Sequence, residues 1–413
     1  MKWSKINIAL YDRTQNPDIL TTALEATLTG LSLSPQNPML FTLRVLSIIS
    51  QHGSTPLYRL FESYLTKIPI HYWISLLPQI IAKLSCEELN VTLERLLLMM
   101  AASYPQNVLY SLMVPFTSET STRGPIARRI INTMRMSSPI LVEEAILFAS
   151  EMKRIASIWW ERWISALDES SKQFVLHQNP EATVKLLLPL HELISRPPET
   201  LFEVSFISQF GSLLLDAEEF LRDYQDTKNI LEFHSAWSIY VTIYNSIKPL
   251  LTHMNEFNLA DASVLSNSMR NTELIIPGTN ITGQQLIKIE SVCPEVVIIN
   301  SKQRPRRISM RGSDGSKFSF LLKPNEDTRL DERVMQLFNY ISDVIKSSQV
   351  PFAAKLNITT YHVIPLTKKV GLIGWVNNTQ TLFEVIKHYR QSIRRNANAE
   401  MVKIATHCPN YDT

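Results

Sequence analysis

The chain of 413 residues is 45% hydrophobic and 19% charged, which provides apolar material for two or three ordinary domains and excludes a mostly disordered chain. Its 41 Lys and Arg against 38 Asp and Glu leave a net charge of +3, too small to indicate a general nucleic-acid binder. Three widely separated cysteines indicate neither a disulfide framework nor a zinc site. No apolar run approaches the ~18 residues of a membrane-spanning helix and no signal peptide is evident, so we expect a soluble intracellular protein.

The first region of the chain has apolar residues at helical spacing, as in Leu93, Leu96, Leu97 and Met100. Short polar or proline-containing breaks separate helices of roughly 12 to 20 residues. The breaks lie at 34–35, 53–54, 103–105 and 124–125. This pattern predicts antiparallel helix pairs stacked as an irregular HEAT- or TPR-like solenoid, although no strict repeat is visible.

A second helical block, from about residue 153 to residue 250, is rich in aromatic side chains. Its tryptophans are Trp159, Trp160, Trp163 and Trp237. Four helices are predicted to begin near Glu151, Pro180, Pro198 and Asn229. The block is therefore predicted to be a four-helix bundle.

Strand signals appear later in the chain, where six of the 10 glycines fall between residues 278 and 374. The change from helical to strand pattern lies near residue 270. Runs at 296–299, 308–310, 318–322 and 361–364 predict the strands of one small sheet, with a hairpin turn at Asp314-Gly315. One long helix interrupts them, with acidic residues near its start and Val334, Leu337, Ile341 and Val344 on one face.

Charged residues around this sheet stand in the order that phosphoryl transfer uses. A loop at 301–306 is followed by a strand ending in Lys323, a helix opening with acids, and the segment Gly371-Leu-Ile-Gly-Trp-Val376. They match a phosphate loop, a lysine for phosphate oxygens, a carboxylate that holds the lysine, and a hinge. On spacing alone, Lys323 is equally well explained as a surface lysine at a strand end.

Longer segments carry a family resemblance. SKQRPRRISMRGSDGSKFSFLLKPNEDTRLDERVMQLF at 301–338 and VIPLTKKVGLIGWV at 363–376 resemble the small lobe of phosphatidylinositol-3-kinase-related protein kinases, specifically of target-of-rapamycin kinases. The Trp-rich block resembles that family's rapamycin-binding bundle, and TLRVL at 42–46 and LPQIIA at 77–82 are similar to the end of its FAT solenoid. The resemblance implies a mainly α, then α+β chain: the end of FAT at 1–152, the bundle at 153–250, the kinase small lobe with hinge at 251–376, and the start of the large lobe at 377–413.

Residues of an ATP site are implied by position in this resemblance. They are Ser301 over the phosphates, Lys323 on the phosphates, Glu326, Asp331 and Tyr361 around the lysine and the back of the pocket, and Gly374, Trp375 and Val376 at the hinge. The Trp375 ring would stack on adenine, although an ordinary core tryptophan is the alternative. The basic run Lys302, Arg304, Arg306 and Arg307 could be mistaken for a nuclear-localisation or nucleic-acid patch, but its place inside the phosphate loop makes that the weaker interpretation.

The bundle resemblance implies a groove for rapamycin together with an FKBP immunophilin. The implied groove residues are Leu167, Ser171, Val175, Trp237, Ser238, Val241 and Tyr244. Val175 and Val241 replace aromatic residues usual in the family, His234 replaces Thr and Ser238 replaces Asp. We expect weakened rapamycin binding. Trp163 is expected to fill the bundle core, which is also an alternative for Trp237.

The catalytic and metal-binding motifs of a kinase large lobe do not occur in this sequence: neither Asp-Arg-His-X-X-Asn nor Asp-Phe-Gly is present. We therefore expect a fragment of a kinase or a truncated product that is inactive alone, with no catalytic or metal residue and no cofactor of its own. The complete parent would use ATP and Mg²⁺.

The leading hypothesis is a Ser/Thr protein kinase of growth signalling, with subunits of a TOR complex and protein substrates as partners. It is expected in the cytoplasm, with attachment to endomembranes or a nuclear complex as alternatives. A helical-repeat scaffold with a vestigial kinase lobe is the second hypothesis, and a related lipid kinase is the third.

Overall fold

The computed structural model describes residues 2–33, 37–118, 120–279, 285–347, 356, 358–396 and 399–408. The first part of the chain is a run of helices. Their bounds are α1 Lys2–Thr14, α2 Pro17–Ser32, α3 Pro38–Gln51, α4 Thr55–Tyr64, a 3₁₀ segment Ile70–Leu76, α5 Leu77–Lys83, α6 Asn90–Ser103, α7 Pro105–Thr117, α8 Gly124–Ser137 and α9 Pro139–Ala156.

Proline and asparagine start several of these helices. Pro17, Pro38 and Pro105 occupy first positions, where a missing N–H costs nothing. Asn16 caps α2 by accepting the Asp18 N–H at 3.0 Å. The predicted breaks at 53–54 and 103–105 are confirmed. The break predicted at 124–125 ends at Arg123, because Gly124 and Pro125 already form the first turn of α8, and 34–35 lies outside the described residues. The run of helices expected of a helical-repeat solenoid is thus present.

The solenoid differs from the prediction between residues 55 and 83, where the helices are shorter than expected. α4 has 10 residues, and the 3₁₀ segment and α5 have seven each. Pro69 precedes the 3₁₀ segment and Pro78 lies in the first turn of α5. Proline removes a backbone donor and clashes with the preceding turn, so a continuous helix cannot run through these positions.

The bundle follows as α10 Trp159–Ser171 with a π segment Lys172–Leu176, α11 Pro180–Ile194, α12 Leu201–Thr227 and α13 Ile230–His253. The predicted start near Glu151 is wrong, because Glu151 lies inside α9 and accepts a hydrogen bond from Ser263 Oγ at 2.7 Å. Instead, Glu161 caps the start of α10 by accepting the Ile158 N–H at 3.3 Å. The starts near Pro180, Pro198 and Asn229 agree with the structure within three residues.

The bundle has a hydrophobic core of its own. Trp163 is fully buried at its centre and stacks on Phe206 and Tyr240, with ring centroids 6.4 and 6.2 Å away. Buried His191 shares a 2.7 Å hydrogen bond with the Tyr240 hydroxyl. Burial lowers the pKa of His191 to about 4, so the imidazole is neutral at physiological pH.

An antiparallel sheet of seven strands follows the bundle, in the order β1-β3-β4-β5-β7-β6 with β2 also paired to β4. The strands are β1 Glu256–Asn258, β2 Ile289–Val292, β3 Glu295–Ile298, β4 Arg306–Gly312, β5 Lys317–Pro324, β6 Val363–Thr367 and β7 Val370–Gly374. The helices among them are α14 Leu259–Ala262, α15 Leu265–Ser268 and α16 Arg329–Ser347.

The predicted single sheet is confirmed, although its start and several strands were missed. It begins at Glu256 rather than near residue 270, and β1 and β2, of three and four residues, were not predicted. β7 lies in the segment that the sequence analysis interprets as a hinge. The hairpin at Asp314-Gly315 is confirmed. Gly315 has φ of 81°, a left-handed conformation that glycine adopts without strain.

The solenoid and the sheet share one hydrophobic core. Polar side chains of the solenoid also hold the chain leading into β2. The Tyr110 hydroxyl donates to Ile275 O at 2.7 Å, and Glu144 accepts the N–H groups of Glu273 and Leu274 at 2.8 and 3.0 Å. The sheet is therefore anchored to the solenoid and does not form a separate packing unit.

Helix α16 packs along one edge of its apolar stripe, where Val334 and Ile341 are half-buried. Leu337 and Val344 of that stripe are 53% and 42% exposed, while Met335 and Ser342 are buried. Polar contacts with the solenoid explain this orientation of α16. Gln336 and Gln79 exchange amide hydrogen bonds of 2.5 and 3.2 Å, and Gln336 Nε2 also donates to Ser75 O at 2.5 Å. These contacts turn the polar flank of α16 towards the solenoid.

The chain divides into two compact units, Met1–Gly374 and Trp375–Thr413. The second contains α17 Leu382–Ser392 and α18 Ala399–His407. A capping box starts α17, with Thr381 Oγ1 accepting the Glu384 N–H and Glu384 accepting the Thr381 N–H. Among the described helices of both units, none combines the length and apolarity required to cross a bilayer.

The burial of the two bundle tryptophans predicts different effects on stability. Trp163→Ala should lower the free energy of unfolding by about 3 to 5 kcal/mol, because the cavity lies in a closed core. Trp237→Ala, at a half-exposed position, should cost less than half as much. Chemical denaturation followed by far-UV circular dichroism measures both changes. Equal losses in the two variants would contradict this assignment of core and surface.

Candidate functional site

Lys323 lies near the end of β5, on the half-exposed face of the sheet. Its Nζ is 3.2 Å from Glu326 Oε2 and 3.9 Å from Asp331 Oδ2, and it donates a 3.3 Å hydrogen bond to Glu326 Oε1. The Lys323 side chain is 26% exposed. The structure thus brings together three of the residues that the sequence predicts.

The start of α16 places Asp331 in this cluster. Asp327 accepts the Arg329 N–H at 3.1 Å and pairs with the Arg329 guanidinium at 2.5 Å. The Arg329 hydrogen bond lowers the pKa of Asp327, which therefore remains an anionic cap at this helix start. Asp331 consequently lies in the first turn of α16, where it faces Lys323.

Glu332, the next residue, was not predicted to have a role in the site. Burial raises its pKa to about 7, despite nearby Arg333 and Arg329. It borders a cavity of about 380 Å³ between α16 and the solenoid, which is also lined by Tyr110, Met335 and Tyr361. Tyr361 therefore lies with the solenoid side of α16. The only sequence signal for Glu332 was its place beside Asp331 in an acidic helix start.

Ser301 lies in an exposed turn between β3 and β4. The Arg304 N–H closes the turn by donating to Ser301 O at 3.0 Å. The Ile299 N–H donates to Pro305 O at 2.8 Å and so joins the two chain segments that flank the turn. Arg306 pairs with Leu322 in the β4–β5 ladder. The turn and Lys323 are therefore at the same end of that ladder.

Two cations of the basic run bind a carboxylate of the bundle. Arg304 Nε lies 3.0 Å from Glu161 Oε1, and the Arg306 guanidinium contacts Glu161 Oε2. Arg306 is 1% exposed, and burial lowers its pKa. The alternative interpretation of this run as a nucleic-acid or nuclear-localisation patch is therefore wrong for these two residues. Their partner, Glu161 of α10, was missed because it is 143 residues from Arg304 and 145 from Arg306 in sequence.

The predicted hinge residues follow β7. Gly374 is the last residue of β7, pairs with Phe320 of β5, and donates its N–H to His362 O at 2.7 Å. Trp375 and Val376 are half-buried and begin the second compact unit. The structure therefore places Gly374 on the same sheet as Lys323.

The groove lies between α10 and α13 and encloses about 180 Å³. Its lining residues are Leu167, Asp168, Ser171, Trp237, Tyr240, Val241 and Tyr244. Two predicted members lie outside this lining. Val175, in the π segment, is 62% exposed, and exposed Ser238 donates its hydroxyl to Ser235 O at 2.8 Å. Asp168 and Tyr240 were missed, although they are one helical turn from predicted residues.

An aromatic ring does stand beside Trp237. Phe174, the neighbour of Val175, lies 5.4 Å from Trp237 between ring centroids. The π segment has an added residue per turn and so rotates the side chains within it, which leaves Val175 exposed and Phe174 against Trp237. A linear motif cannot show this rotation.

In the described part of the chain, no three His, Cys, Asp or Glu side chains converge as a metal site. Glu326 and Asp331 already face the Lys323 ammonium, and Glu161 already binds Arg304 and Arg306. We therefore assign no Mg²⁺ ligand to these residues.

Three sequence-family models match successive parts of the chain. They are the FKBP12-rapamycin binding domain at residues 151–249, phosphatidylinositol 3- and 4-kinase at residues 317–413, and serine/threonine-protein kinase ATR-like HEAT repeats at residues 57–149. The serine/threonine-protein kinase TOR2 of Saccharomyces cerevisiae is 35% identical over 390 residues, covering 93% of this chain and 16% of TOR2. The serine/threonine-protein kinase mTor of Drosophila melanogaster is 33% identical over 393 residues, covering 94% and 16%.

The chain belongs to the target-of-rapamycin family of phosphatidylinositol-3-kinase-related kinases. It spans 16% of the length of these two relatives. The open conformation of CtTel1 is similar in fold, with a TM-score of 0.58 and 16% identity, and the match covers 95% of this chain and 12% of CtTel1. The family and the fold class predicted for this target-of-rapamycin chain are confirmed. The domain boundaries and the roles of the site residues stay predictions.

A buried glycine supports the lysine cluster of this target-of-rapamycin chain. Gly371 of β7 pairs with Lys323, and a Cβ at this position would lie 2.0 Å from Oγ1 of fully buried Thr328. Thr328 precedes α16, and its carbonyl accepts the Glu332 N–H at 3.1 Å. A methyl group at residue 371 must therefore push the start of α16 away from β7.

Gly371→Ala should lower the free energy of unfolding by about 1 to 3 kcal/mol through this overpacking. Gly374→Ala is the matched control in the same strand, because its Cβ would meet nothing closer than 3.4 Å. That control should change stability by less than about 0.5 kcal/mol. Denaturant titration of the two variants tests the difference, and a Gly371→Ala protein as stable as the control would contradict it.

Proposed function

We propose that this chain carries the ATP-binding small lobe of a target-of-rapamycin Ser/Thr protein kinase. The observation that carries the proposal is the Lys323 cluster, in which one half-exposed ammonium is held by Glu326 and Asp331. The family membership supports it, since the printed names of the relatives are serine/threonine-protein kinases. The whole kinase would phosphorylate proteins in growth signalling.

The residues present fit a nucleotide polyphosphate. Lys323 provides a positive charge with solvent access, and the exposed Ser301 turn lies at the same end of the sheet. Bound ATP would supply the phosphoryl group that is transferred to a protein hydroxyl. Lys323 would hold its phosphate oxygens, while Glu326 and Asp331 orient the ammonium.

The end of β7 would receive the adenine base. We assign the hinge to Gly374, Trp375 and Val376, with backbone groups on the adenine edge and the Trp375 ring on its face. Mg²⁺ would be held by residues of the complete kinase domain. Support for this assignment comes from sequence position in the matched kinase segment, residues 317–413.

A helical scaffold with a vestigial kinase lobe is the less favoured function. In a vestigial lobe, the residues of the site would be free to change. Here Lys323 still contacts the carboxylates of Glu326 and Asp331, and its strand partner Gly371 lies where a side chain cannot fit. The kinase proposal explains these features together.

Lys323→Met tests the nucleotide site in the chain extended through a complete kinase domain. We expect phosphate transfer from ATP to a protein substrate to fall about 100-fold or more, because a preorganised positive charge on the phosphates is lost. Lys317→Met is the matched control: it removes an exposed lysine from the same face of β5 and should leave turnover within about twofold. Wild-type turnover in Lys323→Met would contradict the proposal.

The bundle groove is proposed to receive rapamycin with an FKBP immunophilin, at reduced affinity. The groove between α10 and α13 is small and apolar, and Val241 replaces a larger aromatic side chain there. Asp168 and Ser171 add polar groups on the α10 side. The sequence match to the rapamycin-binding domain over residues 151–249 supports this assignment.

The two valines predict different recoveries of rapamycin affinity. Val241→Tyr fills the groove lining and should tighten the Kd for the rapamycin–FKBP complex by about 5- to 30-fold, from about 1 to 2 kcal/mol of added aromatic contact. Val175→Phe, at a position 62% exposed, should tighten it less than about threefold. Calorimetric titration of the chain measures both values. No gain in Val241→Tyr would show that the groove is misassigned.

We also propose that the whole kinase works in the cytoplasm within a multisubunit TOR complex. Attachment to endomembranes or a nuclear complex would occur through such subunits. The absence of a charge excess on this chain is consistent with protein partners and not with nucleic acid.

A further inference from the structure

The Arg304 side chain joins the two helices that form the bundle groove. Its Nε donates to Glu161 Oε1 of α10 at 3.0 Å. Its Nη1 donates to Leu251 O at 2.8 Å and its Nη2 to Met254 O at 3.0 Å, at the carboxyl end of α13. A guanidinium is a planar fork of donors, so these three contacts fix its orientation.

These contact points are close to the groove. Glu161 is six residues from Leu167 of the groove lining, and Leu251 is seven residues from Tyr244. At a helical rise of 1.5 Å per residue, both separations are about 10 Å along the helix axes. A change in the spacing of α10 and α13 at the groove would therefore reach Arg304 through two rigid helices.

The backbone of Arg304 is part of the Ser301 turn. Its N–H closes the turn onto Ser301 O, and its φ of 47° lies in the left-handed region. That conformation is uncommon for a residue with a side chain and persists where surrounding contacts hold it. Here the contacts are the guanidinium bonds to the bundle.

Arg306 reinforces the same junction. It is 1% exposed, and its guanidinium contacts Glu161 Oε2 and the carbonyl oxygen of Arg304. Glu161 thus binds both arginines while also accepting the Ile158 N–H. One largely buried carboxylate, on a side chain 11% exposed, connects the start of α10 to the turn and to the first residue of β4.

We propose that Arg304 is a positioning residue that couples the bundle groove to the Ser301 phosphate turn. An occupant of the groove would alter the turn and hence ATP binding, and ATP would alter groove affinity by the same factor. This inference rests on the proposed nucleotide site. It assigns a function to Arg304 and Arg306, which belong to the proposed phosphate loop but bind Glu161 of the bundle.

Amide hydrogen exchange over residues 299–305 of the 413-residue chain tests the coupling without catalysis. Arg304→Ala and Glu161→Gln should each speed exchange of the Ile299 and Arg304 amides by about tenfold. Arg129→Ala is the matched control: it removes an arginine that binds Glu94 bidentately, at 2.9 and 2.7 Å, on the solenoid. It should leave these amides unchanged. Unchanged exchange in Arg304→Ala would overturn the inference.

The rapamycin–FKBP complex, at saturating concentration, provides the second readout. It should change exchange at residues 299–305 in the wild-type chain and in Arg129→Ala, and have little effect there in Arg304→Ala. An equal effect in all three proteins, or none in the wild type, would overturn the coupling. Arg304→Lys keeps the charge but not the fork, so it should give an intermediate result and serves as a second variant if the alanine protein does not fold.

Kinetics of the chain extended through a complete kinase domain separate this inference from the proposed function. Arg304→Ala and Glu161→Gln should raise KM for ATP by about tenfold while kcat changes less than about twofold, and the double variant should do no more than either. If Lys323→Met retains wild-type turnover, the nucleotide site itself is wrong. If Lys323→Met is inactive but Arg304→Ala keeps the wild-type KM for ATP, only the coupling is refuted.

Discussion

The Glu161 carboxylate, on a side chain only 11% exposed, holds together three parts of this protein: the start of α10, the Ser301 turn and the first residue of β4. It binds Arg304 of the turn and Arg306 of β4 and also caps the first turn of α10. Removing one partner from a buried ion pair costs about 3 to 5 kcal/mol, because the remaining charge stays desolvated. The bundle has its own core, but Phe202 and Met254 pack against both cores, so its position relative to the sheet depends on these polar contacts together with shared apolar packing. The contacts of Glu161 thus help to set where the groove lies relative to the turn before β4.

The solenoid holds the other side of the sheet in a different way. It shares its apolar core with the strands and uses Tyr110 and Glu144 to satisfy backbone groups near Ile275. Through Gln79 it also binds α16, whose first turn presents Asp331 to Lys323. The lysine cluster is therefore supported from the solenoid as well as from its own strand. Rigid support of this kind is what a site needs if an ammonium is to meet phosphate oxygens without reorganising.

Half-buried charges around α16 show how packing alters chemistry within one helical turn. Asp331 faces Lys323, while burial raises the pKa of its neighbour Glu332 to about 7. The two carboxyls are adjacent in sequence, but a helix turns about 100° per residue and so directs them to different surroundings. Side-chain direction along the helix also matters beside the groove. There the π segment leaves Val175 exposed and keeps Phe174 against Trp237.

The amino-acid sequence by itself determined the local elements of this protein. Proline and asparagine predicted several helix starts and Asp314-Gly315 predicted the hairpin, because these depend on neighbouring residues. The family resemblance, and not the spacing alone, predicted that Glu326 and Asp331 lie beside Lys323. The family motifs then predicted the order of the parts. Only the tertiary structure decided that Arg304 and Arg306 bind Glu161, that Gln336 binds Gln79, and that Thr328 requires glycine at residue 371. Those partners are 43 to 257 residues apart, and their contact is set by how whole helices and strands pack, which no local pattern of φ, ψ or hydrophobic period encodes.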